Sequence, residues 1–290
     1  MQIAHDCLSC FVRQALTAVR NVTDDVDVHE SVLRTVLGEL SRMDLRCSPV
    51  VVARRIHELV RQRSGSSDPY AAEKQRFNRL ALSLLPELEA RVANSADPWA
   101  TALRLAIAGN VIDFGPRSHV SVEDVTDAVA HALEAPLAAD VAGFRAEAEG
   151  AERILYLTDN AGEIVFDRLL LALLPADRVT VAVRGAPVIN DATLEDAREA
   201  GLTERWDVIS NGSDAPGTLL DTCSTEFRAR FEAADLVIAK GQGNYESLSG
   251  CGRDVVFVLK VKCEVIGRAL GCPVGTLVVR RGNGGGTCCV

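Results

Sequence analysis

The chain has 290 residues, 48% of them hydrophobic and 24% charged, enough for one large domain or two ordinary ones. A net charge of -9 excludes a nucleic-acid footprint, which needs a basic stripe; an anionic ligand would have to be held by a bound cation or a few lysines. The opening MQIAHDCLSC has no basic region or long apolar run, and the apolar stretch around Leu169 to Leu174 is too short to span a bilayer, so neither a signal peptide nor a membrane partner is expected. Nine cysteines, an odd number unevenly spread, do not read as a disulfide framework, and a reducing cytoplasm is the expected setting.

Residues 1–150 read as an all-helical domain. Ser48-Pro49, Asp68-Pro69 and Asp97-Pro98 each place a capping side chain before a proline that suits a first helical turn. Val52, Ile56 and Val60 form one apolar stripe; Leu80, Leu84 and Leu88 form another, in a helix that Pro86 should kink or break. Ser121 with Asp124 predicts a capping box before Val125, Val129 and Leu133.

The pattern changes at Arg153. Short β-rich runs at Ile154–Thr158, Val179–Val183, Asp207–Ser210, Leu236–Ala239, Val255–Leu259 and Thr276–Val279 alternate with helical ones such as Glu163–Leu173 and Cys263–Leu270. That alternation predicts βαβ crossovers and a mainly parallel sheet covered on both faces, over residues 151–282. The glycine-rich residues 283–290 read as a flexible tail.

Ligands of open parallel sheets bind beyond the carboxyl ends of the strands, so the residues after each run matter most. They are Asp159-Asn160 with Glu163; Arg184 through Asn190-Asp191; Asn211-Gly212; Lys240-Gly241-Gln-Gly243-Asn244 with Glu246; and Lys260-Val-Lys262. Asp159 and Asp191 offer carboxylates and Asn160 a neutral carbonyl oxygen, donors that suit a hard divalent cation such as Mg²⁺ or Mn²⁺. Lys240, Lys260 and Lys262 offer positive charge, and Gly212, Gly241 and Gly243 allow backbone N–H groups to approach an anion. Together they describe a site for a transferring phosphoryl group. Each piece also has a plainer reading. Asp159-Asn160 and Asn190-Asp191 could be helix caps, Asn211-Gly212 is a common turn pair, the lysines could be solvated, and a lone GxG is a weak dinucleotide signal. Their coincidence on one rim favours the site.

TDNAGEIVFDRLLL, VRGAPVINDATLEDAREAGL, VISNGSDAPGTLL, ADLVIAKGQGNYESLSG and VFVLKVKCEVIGRALG resemble the damage-control phosphatase family, formerly a domain of unknown function. CLSCFVRQAL, DPYAAEKQRFNRLAL and LAIAGNVIDFG resemble its prokaryotic branch. The resemblance implies a helical N-terminal domain packed on a Rossmann-like α/β domain. It also implies a divalent metal (Mn, Mg, Co or Ni) on Asp159, Asn160 and Asp191. It implies hydrolysis of small phosphorylated metabolites, such as sugar phosphates or phosphopantetheine-like compounds, and it assigns phosphate binding to Lys240.

No second aspartate stands two residues after Asp159, so an activated water is preferred to an aspartyl-phosphate intermediate. Glu163 and Glu246 are candidate supporting or basic groups. Asn110 and Asp113 are expected to face the cleft from the first domain, with Tyr70, Lys74 and Asn78 on one helix face as further candidates. Cys7 and Cys10 form a CxxC on one helix face, but a zinc site needs two more ligands and a thioredoxin-like role needs a βαβ context, so packed, reduced thiols are the simpler reading. Two rival functions remain: a methyltransferase using S-adenosylmethionine, and a non-catalytic binder of phosphometabolites.

Overall fold

The computed structural model describes residues 1–109 and 122–282. Asn110, Asp113 and Ser121, and the tail from 283 to 290, lie outside the described residues. Twelve helices and seven strands are present among the described residues.

Three helices, α1 (Cys7–Val22), α2 (Val26–Leu40) and α3 (Pro49–Ser64), pack on one another around Phe11, Ala15, Val32, Val36, Val52, Ile56 and Val60. The Val52–Ile56–Val60 stripe is the buried face of α3, whose N-cap Ser48 accepts from Val50 N–H as expected. The helix α4 (Ala71–Ala93) starts later than its Asp-Pro signal, because Asp68 turns its carboxylate to the Tyr70 N–H and to Lys74. It also runs unbroken through Pro86. Pro86 is exposed, while Phe77, Ala81, Leu85, Leu88 and Val92 are buried, and their packing outweighs the proline's cost of about 3 kcal/mol. Next come α5 (Pro98–Ala108), capped by Asp97, and α6 (Val122–Glu134).

The sheet contains β1 (Leu137–Ala138), β2 (Ile154–Leu157), β3 (Val179–Val183), β4 (Asp207–Ser210), β5 (Leu236–Lys240), β6 (Val256–Lys260) and β7 (Leu277–Arg281). Their order is β1-β7-β6-β5-β2-β3-β4. All the pairings are parallel except β6 with β7. Taken from β2 onward, this is the 3-2-1-4-5-6 order of doubly wound sheets, whose switch point lies between β2 and β5. The antiparallel β7 and the two-residue β1 depart from the sequence expectation. The alternating pattern marks β7 as a strand without giving its direction, and β1 is too short to carry a periodic signal.

Alternate residues of β2 face opposite layers. Ile154 and Tyr156 pack towards α4, α5 and α8 (Glu163–Leu171); Leu155 and Leu157 pack towards α10 (Thr225–Ala233), α11 (Gly241–Leu248) and α12 (Glu264–Leu270). The remaining helices are α7 (Val141–Gly150) and α9 (Leu194–Glu199). No helix among the described residues is long and apolar enough to cross a membrane.

One buried group makes stability depend on pH. His57 of α3 is 2% exposed, its Nε2 has no hydrogen-bond partner, and burial, aided by Arg61, pushes its pKa down to about 3 from 6.5. Between those values the native state binds fewer protons than the unfolded chain, so stability rises with pH and is lost as pH falls below 6.5. The loss is about 1.4 kcal/mol per pH unit. His57→Phe is expected to remove about 2 kcal/mol of the stability difference between pH 6.5 and about pH 5 in urea titrations. An unchanged difference would mean that His57 is not the group that titrates.

Candidate active site

The loop after β3 folds back over the end of β2 and pairs with it. Asn160 and Asp191 form an antiparallel bridge; Ala192 N–H donates to Asp159 O at 2.8 Å, and Ala161 N–H to Asn190 O at 2.8 Å. Two aspartates 32 positions apart in the sequence are thereby fixed side by side at the switch point. The return requires Ile189 to hold φ +46°, a conformation that costs a β-branched residue about 1–3 kcal/mol. Its side chain packs against the α1–α3 core, which offsets that strain. Arg61 of α3 secures the same loop, donating to Pro187 O at 3.1 Å and to Asp214 at 2.7 Å; Arg54 meets the other oxygen of Asp214 at 2.5 Å.

Arg184, at the end of β3, is 2% exposed and lies under the carboxylates. Its Nε donates to Asp191 Oδ2 at 2.6 Å, one terminal nitrogen lies 3.8 Å from Asp159 Oδ1, and the other donates to Asn244 Oδ1 at 3.2 Å. Asp159 is nevertheless pushed up to about 8, first by burial and then by Glu163 and Asp191, with Arg184 and Lys262 opposing. Burial also raises Asp191, against the pull of Arg184. Buried acids on one rim with too little positive charge are a place where a cation is favourable.

The donor chemistry fits a hard divalent ion. Asn160 Nδ2 donates to Asp159 Oδ2 at 2.9 Å and to Glu163 Oε2 at 3.0 Å, so the amide nitrogen faces the acids, and turning the amide over would bring its carbonyl oxygen beside Asp159 for an ion. A Cβ on Gly241, the first residue of α11, would lie 1.9 Å from Asp159 Oδ2, so only glycine, held at φ +78°, lets the carboxylate rest there. Among the described residues no group of three or more His, Cys, Asp or Glu side chains is arranged to hold a metal by itself. The set is two carboxylates and an amide oxygen.

Lys240 differs from the role the resemblance assigns to it. Its ammonium is fully buried, and its three donors go to Ala106 O at 2.8 Å, Glu163 Oε1 at 2.8 Å and Asp167 Oδ1 at 2.5 Å. Burial lowers its pKa, but Asp167 and Glu163 outweigh that and hold it above the ordinary lysine value. Lys240 therefore fixes Glu163 from behind and presents no ammonium to a phosphate. Asp167 also accepts from Tyr156 at 2.8 Å and is pushed up to about 6, by burial first, with Lys240 opposing.

The other predicted residues divide. Lys262 is exposed and its charge acts on Asp159; Lys260 is half-buried at the end of β6. Asn244 is a buried brace: its amide nitrogen donates to Thr158 O and Lys240 O, tying β2 to β5 across the switch point. Asn211 turns its side chain to Ser213 N–H, and Gly212 sits at φ +78° against Ser224, so the turn reading of that pair holds. Gly243 packs on Pro216 and Gly217, and Glu246 accepts from Gln242.

From the helical half, Asn78 accepts from Gly162 N–H at 2.7 Å and donates to Asp196 and Glu199. Lys74 pairs with Asp196 at 3.0 Å and acts on Asp191, whereas Tyr70 is buried beside His57. Sequence reading gives no role to Arg184, Asp167, Asp214, Arg54 or Arg61. Two of these carry a signal. Arg184 directly follows a strand, and Asp167 is an acid inside the mostly apolar run EIVFDRLLL, four residues after Glu163.

Comparison with known proteins gives the family. Residues 3–278 match the family model described as Damage-control phosphatase ARMT1-like domain. A protein of Archaeoglobus fulgidus named "Damage-control phosphatase" is 37% identical, over 97% of this chain and 99% of its own length. A damage-control phosphatase of Pyrococcus horikoshii is 33% identical over 97% and 98% of the two chains. The 2.04 Å crystal structure of a DUF89 family protein from that organism superposes with a TM-score of 0.88, covering 98% of this chain and all of the other. With its carboxylate pair at the switch point and a match over nearly its whole length, the chain belongs to the ARMT1-like damage-control phosphatase family, whose membership supports a phosphatase role in metabolite repair.

Proposed function

We propose that the chain hydrolyses phosphate monoesters of small metabolites, sugar phosphates or phosphopantetheine-like compounds, with a divalent cation held by Asp159, Asn160 and Asp191. The observation that carries this reading is the pair of buried carboxylates at the switch point, held by a backbone bridge and short of positive charge. When bound, the cation would act as a Lewis acid on a phosphoryl oxygen.

The chain's own residues supply the rest. Arg184 fixes the Asp191 carboxylate, and Asn160 with Lys240 fixes Glu163. Lys262 brings mobile positive charge to the phosphate. A water attacks phosphorus in line, the ester P–O bond breaks, and the alcohol leaves with a proton from the water. Position 161 is alanine, so the arrangement for an aspartyl-phosphate with a partner two residues on is absent from the sequence. A methyltransferase would want an acid at the end of β3 for the donor's ribose; Arg184 stands there instead. A non-catalytic binder would have no use for the crowded carboxylates. A reducing, cytoplasmic setting goes with this reading, since nine cysteines, an odd number unevenly spread, do not form a disulfide framework.

The test is phosphate release by metal-stripped protein from p-nitrophenyl phosphate and a panel of phosphometabolites, with Mn²⁺, Mg²⁺, Co²⁺ or Ni²⁺ restored in turn. Release that needs a metal supports the reading. Silence with every metal, or substrate binding undiminished by chelation, refutes it in favour of the binder. Within the same assay Lys262→Ala is expected to raise KM about tenfold, the loss of about 1.4 kcal/mol from one solvent-exposed charge-assisted contact, and Lys262→Arg to recover part of it. An unchanged KM would remove Lys262 from the phosphate site.

A further inference from the structure

Three cysteines with no part in the phosphatase reading line one cavity. Cys7 and Cys10, in the first turn of α1, and Cys263, at the start of α12, open onto a space of about 500 Å³ bounded by α1, α3 and α11. That volume lies within the roughly 300–1,000 Å³ of small-molecule sites. Phe11 and Ala53 give it an apolar wall, and Gln14, Gln242 and Arg268, the last paired with Asp6, give it polar groups for a peptide-like ligand beside the acids Glu246 and Glu264.

The two thiols of the CxxC are not equivalent. Cys10 is exposed, and the Arg13 guanidinium donates to its sulfur at 3.8 Å, which sets positive charge beside an accessible nucleophile. Cys7 is half-buried. Burial raises its pKa, and Glu246, Cys10 and Cys263 raise it further, so it keeps its proton longer. Helix geometry puts their Cα atoms about 5 Å apart. That lies inside the roughly 4.4–6.8 Å window of a disulfide, and the bond closes if the first turn of α1 tightens enough to bring the Cβ atoms from about 5–6 Å to about 4 Å. These thiols belong to no group arranged to hold a metal among the described residues, so exchange is the chemistry the pair offers.

We propose that Cys7 and Cys10 are a redox-active dithiol that exchanges with small disulfides of the glutathione class. Cys10 loses its proton to water and its thiolate attacks one sulfur of the small disulfide, whose S–S bond breaks to leave a mixed disulfide and one small thiolate. Cys7 gives its proton to that thiolate, and its sulfur attacks Sγ of Cys10. The second small thiolate leaves and takes up a proton from water. The small disulfide is reduced to two thiols, and the cysteine pair is oxidised by the same two electrons.

The test equilibrates the full chain in buffers of oxidised and reduced glutathione at graded ratios, followed by acid quench, alkylation, intact mass and peptide mapping. The expected product is an intramolecular Cys7–Cys10 bond. Cys7→Ser should stall with glutathione on Cys10, Cys10→Ser should leave Cys7 reduced, and Cys263→Ser should behave as the parent; circular dichroism confirms that each variant is folded. Three results each overturn the proposal: both thiols reduced in excess oxidised glutathione, a stable mixed disulfide on Cys10 in the parent protein, or a bond to Cys263.

Discussion

Lys240→Met is expected to lower the unfolding free energy by about 3–5 kcal/mol at neutral pH, the cost of removing one partner from a buried ion pair. The methionine stem can occupy the same space, so packing is largely retained. What is lost is the only charge that Asp167 and Glu163 share at close range among the described residues, both acids being 0–1% exposed. The destabilisation should shrink towards pH 5, where Asp167, already pushed up to about 6, escapes by taking a proton. Asp167→Asn in the same chain should restore part of the stability at neutral pH. Urea titrations of the single and double variants at two pH values decide the matter. A single variant as stable as the parent would mean that the lysine contributes little beyond its stem.

Asp159→Asn is expected to reduce metal-dependent turnover by about two to three orders of magnitude, the loss of one preorganised charged group at the reacting centre. The same change should stabilise the metal-free protein. In the folded state Asp159 is raised from 3.8 to about 8, so between those values the native state holds a proton that the unfolded chain has lost. That linkage costs stability as pH rises from 3.8 to about 8, on the order of 4 kcal/mol by pH 7. Asparagine keeps the shape and removes the linkage. A variant more stable in chelated buffer yet nearly inactive with metal would show a carboxylate kept for function at the expense of the fold. Loss of activity together with loss of stability would instead assign Asp159 to the scaffold.

The sheet was legible because its strands are short, mostly buried runs punctuated by polar loops, and six of the seven are found within a residue or two of where the pattern put them. β1 escaped because two residues have no period. The direction of β7 escaped because antiparallel and parallel partners look alike in a buried strand. The rim rule picked out Asp159, Asn160 and Asp191, which the structure sets side by side, since it depends only on where strands end. It failed to rank the cations. Lys240, Lys262 and Arg184 all follow strands, yet one is caged by acids, one is exposed and one braces a carboxylate. Which of these holds depends on partners arriving from α5, α8, α11 and the loop after β3, and no local pattern records that.

The cage around Lys240 also bears on how the chain is made. Its acceptors at Ala106, Glu163 and Asp167 precede it by 134, 77 and 73 residues. A growing polypeptide that has reached only β4 already carries both acids but not the lysine that neutralises them, and the edge of β2 that will receive β5 is still open. Such an intermediate should stay loose and acidic, and consolidate in one late step when β5 docks along that open edge. Closing contacts over such long loops slows folding. A chain that stops before β5 therefore lacks both the lysine and the strand that complete this side of the site.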